Sequence, residues 1–592
     1  MRRLACLLLL ACLPTFAAAA QVRAIVGATV VNPDSAPVPD AVVLVRDGRI
    51  VDAGPRAAVA IPADAERIDA SGKWLVPGYI DAHVHFFQSG GLYTRPDAFD
   101  LREVVPYEQE IANLQANLDD TFRRTLRSGI TSVVDVGGPM ANFEVRERAA
   151  KTKLAPRVFV AGPLVSTWKP PVLSDIADPP IIAAATPEQA RELVRRQAAL
   201  RPDFIKLWFV LNPGETPQQF LPVMKAAIDE AHAAKLRVAV HATELETARA
   251  ALQAGADVLV HSVDDAPLDA AFIALLKQRN IPYIPTLAVA DGYPRVAFRV
   301  PALNAEERAW GNPDVISTFD DLNTLSPDFV PAGLVRAWKA GRKPPPISQV
   351  MLKNLKAAQD AGVLVATGTD AGNPGTLHGA SYFRELRLMA QAGLTPAQIL
   401  ADSTLGGARM LAREHELGSI AKGKFADLVV LDADPLASVD NFSRIHAVMK
   451  NGELFAADDI IGDGPKAKTQ RNPEAFRALG PQEQPEAVVQ RQLEAYNAHD
   501  VDAFLATYSR NVELFTLGGE RQSQGLEAMR ARYGKMFKDV PQLHCDISRR
   551  IVQGNIVIDH EHLTGLPGGG TVDAIAIYEV RRGKIRRVWF PE

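Results

Sequence analysis

Apolar residues in the middle of the chain fall into short, nearly continuous runs that alternate with amphipathic stretches. Such runs are typical of strands that are buried on both faces. The stretches between them, such as 111–127, 187–200 and 217–234, have the apolar spacing of amphipathic helices. Eight runs are predicted as strands, namely 79–84, 131–136, 157–161, 204–210, 237–241, 258–261, 283–287 and 364–369.

This alternation of buried strands and helices favours a (β/α)8 barrel of the TIM type over residues 77–411. A doubly wound open sheet is the alternative. A long insertion, about 288–350, separates the seventh and eighth predicted strands and is rich in proline and aromatic residues. Because insertions between a barrel strand and the next helix lie at the barrel mouth, we expect it to act there as a lid or specificity element.

Two β-rich stretches, 21–76 and 412–456, flank the predicted barrel. Each is too small to form its own core, so we predict that they combine into one small composite β-sandwich. Residues 457–481 are predicted to be a linker, because they carry glycine, proline and scattered charge. From 482 to 592 the pattern gives helices first and antiparallel strands afterwards, which indicates a separate α+β domain.

The first twenty residues have the pattern of a secretory signal peptide. Arg2 and Arg3 precede an apolar run, and small residues at Ala18 and Ala20 offer a cleavage site. The apolar run is too short to span a membrane, and no later stretch is long enough either. The sequence therefore predicts an exported protein, periplasmic or secreted. A lipoprotein attached through Cys12 is the alternative.

Composition restricts the function further. Hydrophobic residues make up 47% of the chain and charged residues 23%, as in an ordinary globular protein. The net charge is −4 and no basic run is present, which argues against a nucleic-acid partner. Two of the three cysteines, Cys6 and Cys12, lie in the predicted leader. The mature chain would keep only Cys545, so an internal disulfide is not expected.

Candidate metal ligands stand at the ends of the predicted strands. His83 and His85 close the first strand, and side chains two positions apart point the same way. The ends of strands five, six and eight add His241, His261 and Asp370. Imidazoles and a carboxylate are good ligands for zinc and similar divalent ions. We predict that His83, His85 and Asp370 bind a more buried ion, and that His241 and His261 bind another.

Lys206 lies within the fourth predicted strand, among these ligands. An ammonium group cannot bind a cation, but a desolvated lysine can lose its proton. The neutral amine can then take up carbon dioxide and become a carbamate. We predict that carboxylated Lys206 bridges the two ions. In the alternative, Lys206 remains a lysine that pairs with Asp370 and balances its charge.

These residues resemble the metal-ligand set of the amidohydrolase superfamily, in its imidazolonepropionase-like and prolidase-like branch. The resemblance rests on His83-Val84-His85, Lys206, His241, His261 and Thr369-Asp370-Ala371-Gly372, and it covers about 22–456. It implies a TIM barrel with a split β-sandwich and a carboxylated lysine on the fourth strand. The expected cofactors are two divalent metal ions, zinc foremost, with carbon dioxide as the Lys206 carbamate.

The expected reaction is hydrolysis of a carbon–nitrogen bond in an amide, a cyclic amide or a short peptide. Paired metal ions would supply hydroxide at neutral pH and polarise the substrate carbonyl. Asp370 would take the proton of the attacking water and pass it to the leaving nitrogen. His378 follows Asp370 closely and is a second catalytic candidate, in contact with substrate or with a ligand. Trp168, Trp208 and Tyr382 either line the pocket or serve packing.

Two other functions remain open at this point. Mononuclear deaminases of the same superfamily resemble this chain at His83, His85, His241 and Asp370, but they do not need Lys206. A non-catalytic binding protein with a degenerate barrel is the other alternative. The complete ligand set argues against it, because drift would be expected to remove some ligands.

The C-terminal domain resembles the ketosteroid-isomerase-like, or SnoaL-like, family of cone-shaped α+β domains. The resemblance rests on Glu494-Ala495-Tyr496-Asn497-Ala498-His499-Asp500 and on the last strand, which ends in Val588-Trp589-Phe590. It implies binding of a small ligand or dimerisation, so a homo-oligomer formed through this domain is a possible assembly. His560 and His562 share one face of a predicted strand, where they either line the cone or face solvent.

Overall fold

The computed structural model describes residues 21–173, 176–476 and 483–590. The predicted signal peptide, with Cys6 and Cys12, lies outside the described residues. The chain forms two compact units. The first comprises the described residues up to Thr324 together with Gly333–Asn472, and the second comprises Leu325–Ala332 and the described residues from Pro473 onward. Among the described helices, none has the length and apolarity needed to cross a bilayer.

The first unit begins with β-strands. They are β1 Arg23–Val30, β2 Val38–Arg46, β3 Arg49–Pro55, β4 Glu66–Asp69 and β5 Trp74–Pro77. The turn between β2 and β3 falls at Asp47-Gly48, where both residues have positive φ, at 53° and 72°. Two positive φ angles in a two-residue turn match the twist of a β-hairpin, so the Asp-Gly pair fixes the register of these strands.

Parallel strands follow and form the barrel. They are β6 Tyr79–Val84, β7 Ile130–Asp135, β8 Arg157–Val160, β9 Leu164–Ser166, β10 Ile181–Ala183, β11 Ile205–Trp208, β12 Val238–His241, β13 Val258–Val260 and β14 Tyr283–Ile284. The sheet orders are β6-β7-β8 and β10-β9-β11-β12-β13-β14. The third predicted strand, 157–161, corresponds to β8. Beyond its predicted end the chain passes Gly162-Pro163 and forms β9, which pairs with β11. The interruption at Gly162-Pro163 lets one segment serve both sheets.

The eighth predicted strand is irregular, yet it closes the barrel between β14 and β6. Val365 bridges Tyr283, and the Ala82 N–H donates to Thr367 O at 2.8 Å. Gly368 explains how closely the backbone passes there. A Cβ at Gly368 would lie 2.8 Å from the Cβ of His83, so only glycine fits without displacing that histidine. The irregular segment delivers Asp370 to the end of β6.

Helices surround the strands and fill the insertion. Those up to β14 are α1 Tyr107–Ala116, α2 Leu118–Arg127, α3 Asn142–Lys151, α4 Pro187–Ala198, α5 Pro217–Ala233, α6 Leu245–Ala254 and α7 Ala270–Gln278. The later ones are α8 Leu287–Ala297, α9 Ala305–Trp310, α10 Pro313–Ser317, α11 Asp321–Thr324, α12 Ala332–Lys339, α13 Gln349–Asp360, α14 Tyr382–Gln391, α15 Pro396–Ala401 and α16 Gly407–Met410. The insertion is therefore helical over much of its length.

One predicted helix, 111–127, is divided into α1 and α2 at Asn117. The Asn117 side chain donates to Ala467 O at 2.8 Å and accepts from the Lys466 and Ala467 N–H groups. Within the predicted linker, Thr469 also bonds Asp314, and Arg471 pairs with Asp321. Residues 466–471 are thus held by hydrogen bonds to the first unit rather than extended freely.

The two flanking β-rich stretches come together as predicted. After the barrel, β15 Leu428–Leu431, β16 Ile445–Lys450 and β17 Glu453–Ala456 complete the order β17-β16-β15-β5-β1-β2-β3, with β4 paired to β1. All eight strands belong to one hydrogen-bonded sheet, in place of two separately bonded sheets of a sandwich. Register shifts within β1, which pairs with β2, β4 and β5, allow this continuity, because bulges bend a strand.

The second unit is an α+β domain, as predicted. Its helices are α17 Pro485–Asn497, α18 Val501–Ala506 and α19 Gly525–Asp539. Its strands are β18 Tyr508–Thr516, β19 Arg521–Gln524, β20 His544–Gln553, β21 Ile556–Thr564, β22 Val572–Arg581 and β23 Lys584–Phe590, in the order β19-β18-β23-β22-β21-β20. Sequence patterning missed β18 and β19, because exposed polar residues interrupt the apolar alternation of β18. Cys545 is buried in this core as a free thiol.

Candidate metal centre

Two of the predicted histidine ligands, His83 and His85, lie next to the carboxylate of a third predicted ligand, Asp370. His83 and His85 project from the end of β6, and Asp370 follows the irregular eighth segment. Asp370 Oδ1 lies 3.3 Å from Nε2 of His83 and 3.2 Å from Nε2 of His85. All three residues are buried. The hydrogen bond from the Asp370 N–H to His83 O, at 2.8 Å, fixes the two segments to each other.

The remaining histidines stand beside this group. The ring centroid of His261 lies 4.8 Å from that of His83 and 4.3 Å from that of His241. One ligand atom each from His83, His261 and Asp370 can be chosen so that all lie within 4.8 Å of one another. The strand ends thus bring together all the histidines that the sequence predicted as ligands.

Lys206 enters the same space from β11. It is only 1% exposed, and its Nζ makes no hydrogen bond to any residue that the structure describes. Burial lowers the pKa of Lys206 to about 7, so a sizeable fraction of the amine is neutral at physiological pH. No direct hydrogen bond joins Lys206 to Asp370, although the two share the site.

Several buried polar atoms at this point make no hydrogen bond to a described residue, although His83 Nε2 and Asp370 Oδ1 lie 3.3 Å apart: both ring nitrogens of His83, Asp370 Oδ1 and Lys206 Nζ. Buried polar groups are nearly always hydrogen-bonded or bound to an ion. Burial also lowers the pKa of His83 to about 3 and lowers those of His241 and His261, so these imidazoles stay neutral. A neutral, converging donor set of this kind fits a divalent cation.

Partner groups orient two of the imidazoles. His85 Nδ1 lies 2.7 Å from Gly137 O, and His261 Nδ1 lies 2.8 Å from the hydroxyl of Thr286. The carbonyl can only accept, so Nδ1 of His85 carries the proton, and this tautomer follows from the hydrogen-bond network. If Nδ1 of His261 likewise donates to Thr286, both rings keep Nε2 free as a metal ligand.

Strained backbone marks the ends of three consecutive barrel segments. His261, Thr286 and Asp370 have φ angles of 76°, 47° and 59°. Left-handed backbone is unfavourable for residues other than glycine, at a cost of about 1–3 kcal/mol each. Residues keep such conformations only where surrounding contacts enforce them, and such residues cluster at functional sites.

Asp81 is a site residue that the sequence analysis missed. From β6 it accepts hydrogen bonds from the N–H and hydroxyl of Thr369, at 3.0 and 2.7 Å, and from the N–H of His83 at 3.2 Å. It thereby ties the segment before Asp370 to the strand that carries His83 and His85. Burial raises the pKa of Asp81 to about 7. The sequence signal for Asp81 was its position two residues before His83, which places both side chains on the same face of β6.

The centre lies on the wall of a cavity of about 530 Å³. His85, Lys206, His241, His261 and Asp370 line this cavity. Much of the remaining wall is apolar, with Phe87, Tyr107, Leu164, Leu173, Ile181 and Trp208. The insertion contributes Val289, Ala290, Tyr293 and Pro294, which agrees with the expectation that it borders the barrel mouth.

A half-buried guanidinium is the second functional feature that sequence reasoning missed. Arg95, on the loop after β6, lines the cavity and pairs with Asp97, with Nε 2.7 Å from Oδ1. Its Nη1 donates to Asn373 Oδ1 at 2.6 Å, and the Tyr293 hydroxyl donates to the same oxygen at 3.0 Å. The only sequence signal was an arginine ten residues after His85.

The structure places His378 apart from this cavity. Its Nε2 lies 2.9 Å from Gln88 O, and its ring stacks on Phe86 at a centroid distance of 5.0 Å. The His378 ring therefore supports the loop that follows β6, and His378 does not appear on the cavity wall. Its predicted catalytic role gains no support from this position and stays a prediction.

The aromatic candidates divide in the same way. Trp208 lines the cavity and stacks on Trp168 with ring centroids 5.7 Å apart. Tyr382 is fully buried and donates to Ile80 O at 3.2 Å. Trp208 is thus available to a ligand in the cavity, whereas Tyr382 packs behind β6.

Comparison with known proteins gives two family matches. A model described as the amidohydrolase family matches residues 74–455, which is more than half of the chain. A model described as a SnoaL-like domain matches residues 489–588. The first match spans every predicted ligand, and the second lies within the second unit.

Individual relatives are distant. Imidazolonepropionase of Methylobacterium sp. (strain 4-46) is 24% identical over 445 residues, covering 70% of this chain and 94% of its own. The structure of a Xaa-Pro dipeptidase with bound methionine in the active site has a TM-score of 0.56 and 21% identity, over 74% of this chain and all of its own. Aspergillus niger ochratoxinase has a TM-score of 0.57 and 22% identity, over 77% of this chain and all of its own. These structural likenesses confirm the fold.

Proposed function

The chain belongs to the amidohydrolase family, and from this premise we propose that it is an exported, metal-dependent hydrolase that cleaves a carbon–nitrogen bond of a small amide. It acts on carbon–nitrogen bonds as a hydrolase, which excludes the non-catalytic binding protein. One observation carries the metal-dependent part: buried side-chain atoms of His83, Lys206 and Asp370 make no hydrogen bond to a described residue, and Lys206 and Asp370 border a large cavity. The predicted leader supports the proposed export.

The residues of the centre have distinct tasks. When bound, divalent cations lower the pKa of a water molecule and polarise the scissile carbonyl. His83, His85 and Asp370 hold one cation in the proposal, and His241 and His261 hold the other. Neutral Lys206 would add to carbon dioxide through Nζ, lose one proton to solvent and supply an anionic carbamate as a further ligand for the cations. Two cations, zinc foremost, are what this donor set would hold.

Asp370 is the proposed proton carrier. Burial alone would raise the pKa of Asp370, but His83 and His85 outweigh burial and hold it well below its usual range. An ionised carboxylate can accept the proton of the attacking water and pass it to the leaving nitrogen. Both steps use the same side chain, so the proton is not lost to solvent between them.

The cavity suggests a substrate class. Its apolar wall, with Trp208 and Phe87, suits an aromatic or aliphatic acyl group. Arg95 presents a guanidinium to the same space, which suits a carboxylate on the leaving side. The structural neighbour described as a Xaa-Pro dipeptidase with bound methionine supports the choice of a peptide-like bond. We therefore propose N-acyl amino acids and short peptides as substrates.

A paired assay tests this function. Protein with its leader removed, taken from the periplasmic fraction, is expected to hydrolyse N-acyl amino acids and to lose that activity after chelation. Added zinc with bicarbonate is expected to restore it. The C-terminal amide of each substrate should have a kcat/KM lower by about 10-fold or more, because one charge-assisted hydrogen bond to Arg95 is lost. Hydrolysis that is unaffected by complete metal removal would contradict the proposal, and ammonia release from aminated rings alone would favour the deaminase.

The second unit supports a further part of the proposal, a homodimer. One face of its sheet carries an apolar row across five strands, in register: Ile551, Ile558, Ile577, Trp589 and Phe515. The opposite face packs into the core through residues such as Val557 and Tyr578. Ile551 is 54% exposed. A row of this kind can pair with its own copy about a two-fold axis, which hides apolar surface from water.

Light scattering tests the homodimer. The wild type is expected to have twice the mass of one chain, and Ile577→Glu is expected to be monomeric because a charge would be buried at the centre of the row. Val300→Glu puts the same charge on an exposed apolar residue of the first unit and should leave the mass unchanged. A monomeric wild type at micromolar concentration would refute the homodimer.

A further inference from the structure

We infer that Glu385 of α14 is a positioning residue for the metal ligand His261, and that it acts through the first turn of α8 and the hydroxyl of Thr286. The inference rests on the proposed metal centre. Glu385 is fully buried and does not line the cavity. It therefore reaches the centre only through other residues, and three hydrogen bonds supply the connection.

The connection begins at Thr286, the residue at the N-terminal end of α8, whose side chain does not cap that helix. A threonine at this position ordinarily accepts a hydrogen bond from an N–H of the first turn. Here its hydroxyl lies 2.8 Å from Nδ1 of His261. The hydroxyl is committed to the histidine, so the helix needs another cap.

Glu385 supplies that cap from a different helix. Its Oε1 accepts from the Leu287 N–H at 3.0 Å, and its Oε2 accepts from the Ala288 N–H at 2.6 Å. These N–H groups belong to the first turn of α8, where no carbonyl of the helix itself can reach them. Burial raises the pKa of Glu385 to about 8, whereas the Leu287 and Ala288 N–H groups and the positive end of the helix favour its ionised form. One buried side chain thus holds both of the first two residues of α8.

The two hydrogen bonds to Glu385 are important because Thr286, the residue before them, has a strained backbone. Thr286 has φ 47° and ψ 52°, a left-handed conformation that a β-branched residue rarely adopts. Contacts on both sides must enforce it. Without the Glu385 carboxylate, the chain before α8 is free to return to an ordinary conformation. Its hydroxyl would then move away from His261, whose ring would lose its fixed tautomer and orientation.

The expected consequence is weaker binding of the ion that His241 and His261 hold. Partners of metal-ligating histidines typically affect metal affinity by about 10–100-fold. In Glu385→Gln the amide keeps one acceptor but turns an N–H₂ group toward the second N–H of α8. We expect its zinc affinity at one of two sites to fall by about 10–100-fold, as in Thr286→Val, which removes the hydroxyl directly. Thr286→Ser keeps the hydroxyl and should bind zinc like the wild type.

Zinc titration of the metal-free protein against a chromophoric chelator measures these affinities. Because Glu385 acts through Thr286, the double variant Glu385→Gln/Thr286→Val is expected to bind no more weakly than Thr286→Val alone. Glu307→Gln is the matched control. Glu307 is fully buried and also caps a helix, with Oε2 2.8 Å from the Asn304 N–H. It accepts from Ser381 and Arg384 at the start of α14, but among the described residues it has no hydrogen bond to α8 or to a predicted metal ligand. This control should lose stability and keep its zinc affinity.

Hydrogen exchange gives a readout that needs no metal. In the metal-free protein, the amides of Leu287 and Ala288 should exchange faster in Glu385→Gln than in the wild type or in Glu307→Gln. Unchanged zinc affinity in Glu385→Gln, additive losses in the double variant, or an equal loss in Glu307→Gln would each overturn the inference. A wild type that binds no zinc would instead overturn the proposed function, while unchanged exchange at Leu287 and Ala288 would still refute the capping role.

Discussion

Replacing Asp370 by asparagine is expected to lower kcat by about 10²–10⁴-fold, the range in which a positioned general base contributes. Asparagine has the same size and can still contact His83 and His85, whose Nε2 atoms lie 3.3 and 3.2 Å from Oδ1. It cannot accept the proton of the attacking water, and it removes the negative charge that offsets a bound cation. Steady-state kinetics on zinc-saturated protein measure the loss.

Asp264→Asn is the matched control for this change. Asp264 is another carboxylate on the cavity wall, but it has no contact with the histidines of the centre. Because Asp264 borders the substrate cavity, its KM is expected to change, but its kcat should stay within about threefold of the wild type since it carries no proton in the proposed reaction. An Asp370→Asn variant with a kcat as high as that of Asp264→Asn would remove Asp370 from the mechanism.

Replacing Lys206 by methionine is expected to reduce the bound metal from two ions per chain to one or fewer, and kcat by at least about 100-fold, since even partners outside the ligand set cost 10–100-fold. Methionine fills the buried position with an apolar side chain of similar length, so packing is preserved while the bridging anion cannot form. Elemental analysis of protein prepared with bicarbonate gives the stoichiometry. One ion in both proteins would contradict the bridge and favour the mononuclear deaminase.

Lys450→Met is the control for Lys206→Met. It shows whether the loss of metal comes from losing the carbamate of Lys206 or from removing any buried lysine. Lys450 is 4% exposed and pairs with Asp427, with Nζ 2.8 Å from Oδ2, away from the cavity. Removing it leaves a buried carboxylate with less compensation, which lowers stability. Its metal content should nevertheless match the wild type.

Carbamate formation should also depend on pH. Only the neutral amine reacts with carbon dioxide, and burial lowers the pKa of Lys206 to about 7. Above this pH the amine is mostly neutral, and below it the amine is mostly protonated. Reconstitution of metal-free protein with zinc and bicarbonate should therefore slow as the pH falls below about 7, and Lys206→Met should show no such dependence.

The sequence was sufficient for the parts of the molecule that follow from local patterns. Buried runs such as Tyr79–Val84 and Val238–His241 gave strands at their observed positions, and the ends of these strands carry the predicted ligands. The eighth segment was harder to predict. Its residues pair with β6 through a single β-bridge, Val84 to Ala371, and a few separate hydrogen bonds. A regular strand does not form because the backbone is left-handed at Asp370.

Residues that act over long sequence distances could not be recognised. Glu385 and Thr286 are about a hundred positions apart, and neither falls in a local motif that names its partner. Arg95 finds Asn373 only because the barrel closes. His378 shows that closeness to Asp370 in sequence does not bring a side chain to the cavity wall, and its catalytic role stays a prediction. Positive φ angles at Gly372, Gly375 and Gly379 turn the chain away between these residues.

The buried thiol of Cys545 can report how often the core of the second unit opens to solvent. Outside residues 1–20, Cys545 is the one cysteine of the sequence, and it is 3% exposed. Burial raises the pKa of its thiol to about 12, so the reactive thiolate is scarce in the closed fold. Alkylation by a maleimide must then wait for the core to open, and its rate reports how often that happens. The rate of maleimide labelling at Cys545 thus measures how often the second unit opens, and it can be recorded during turnover.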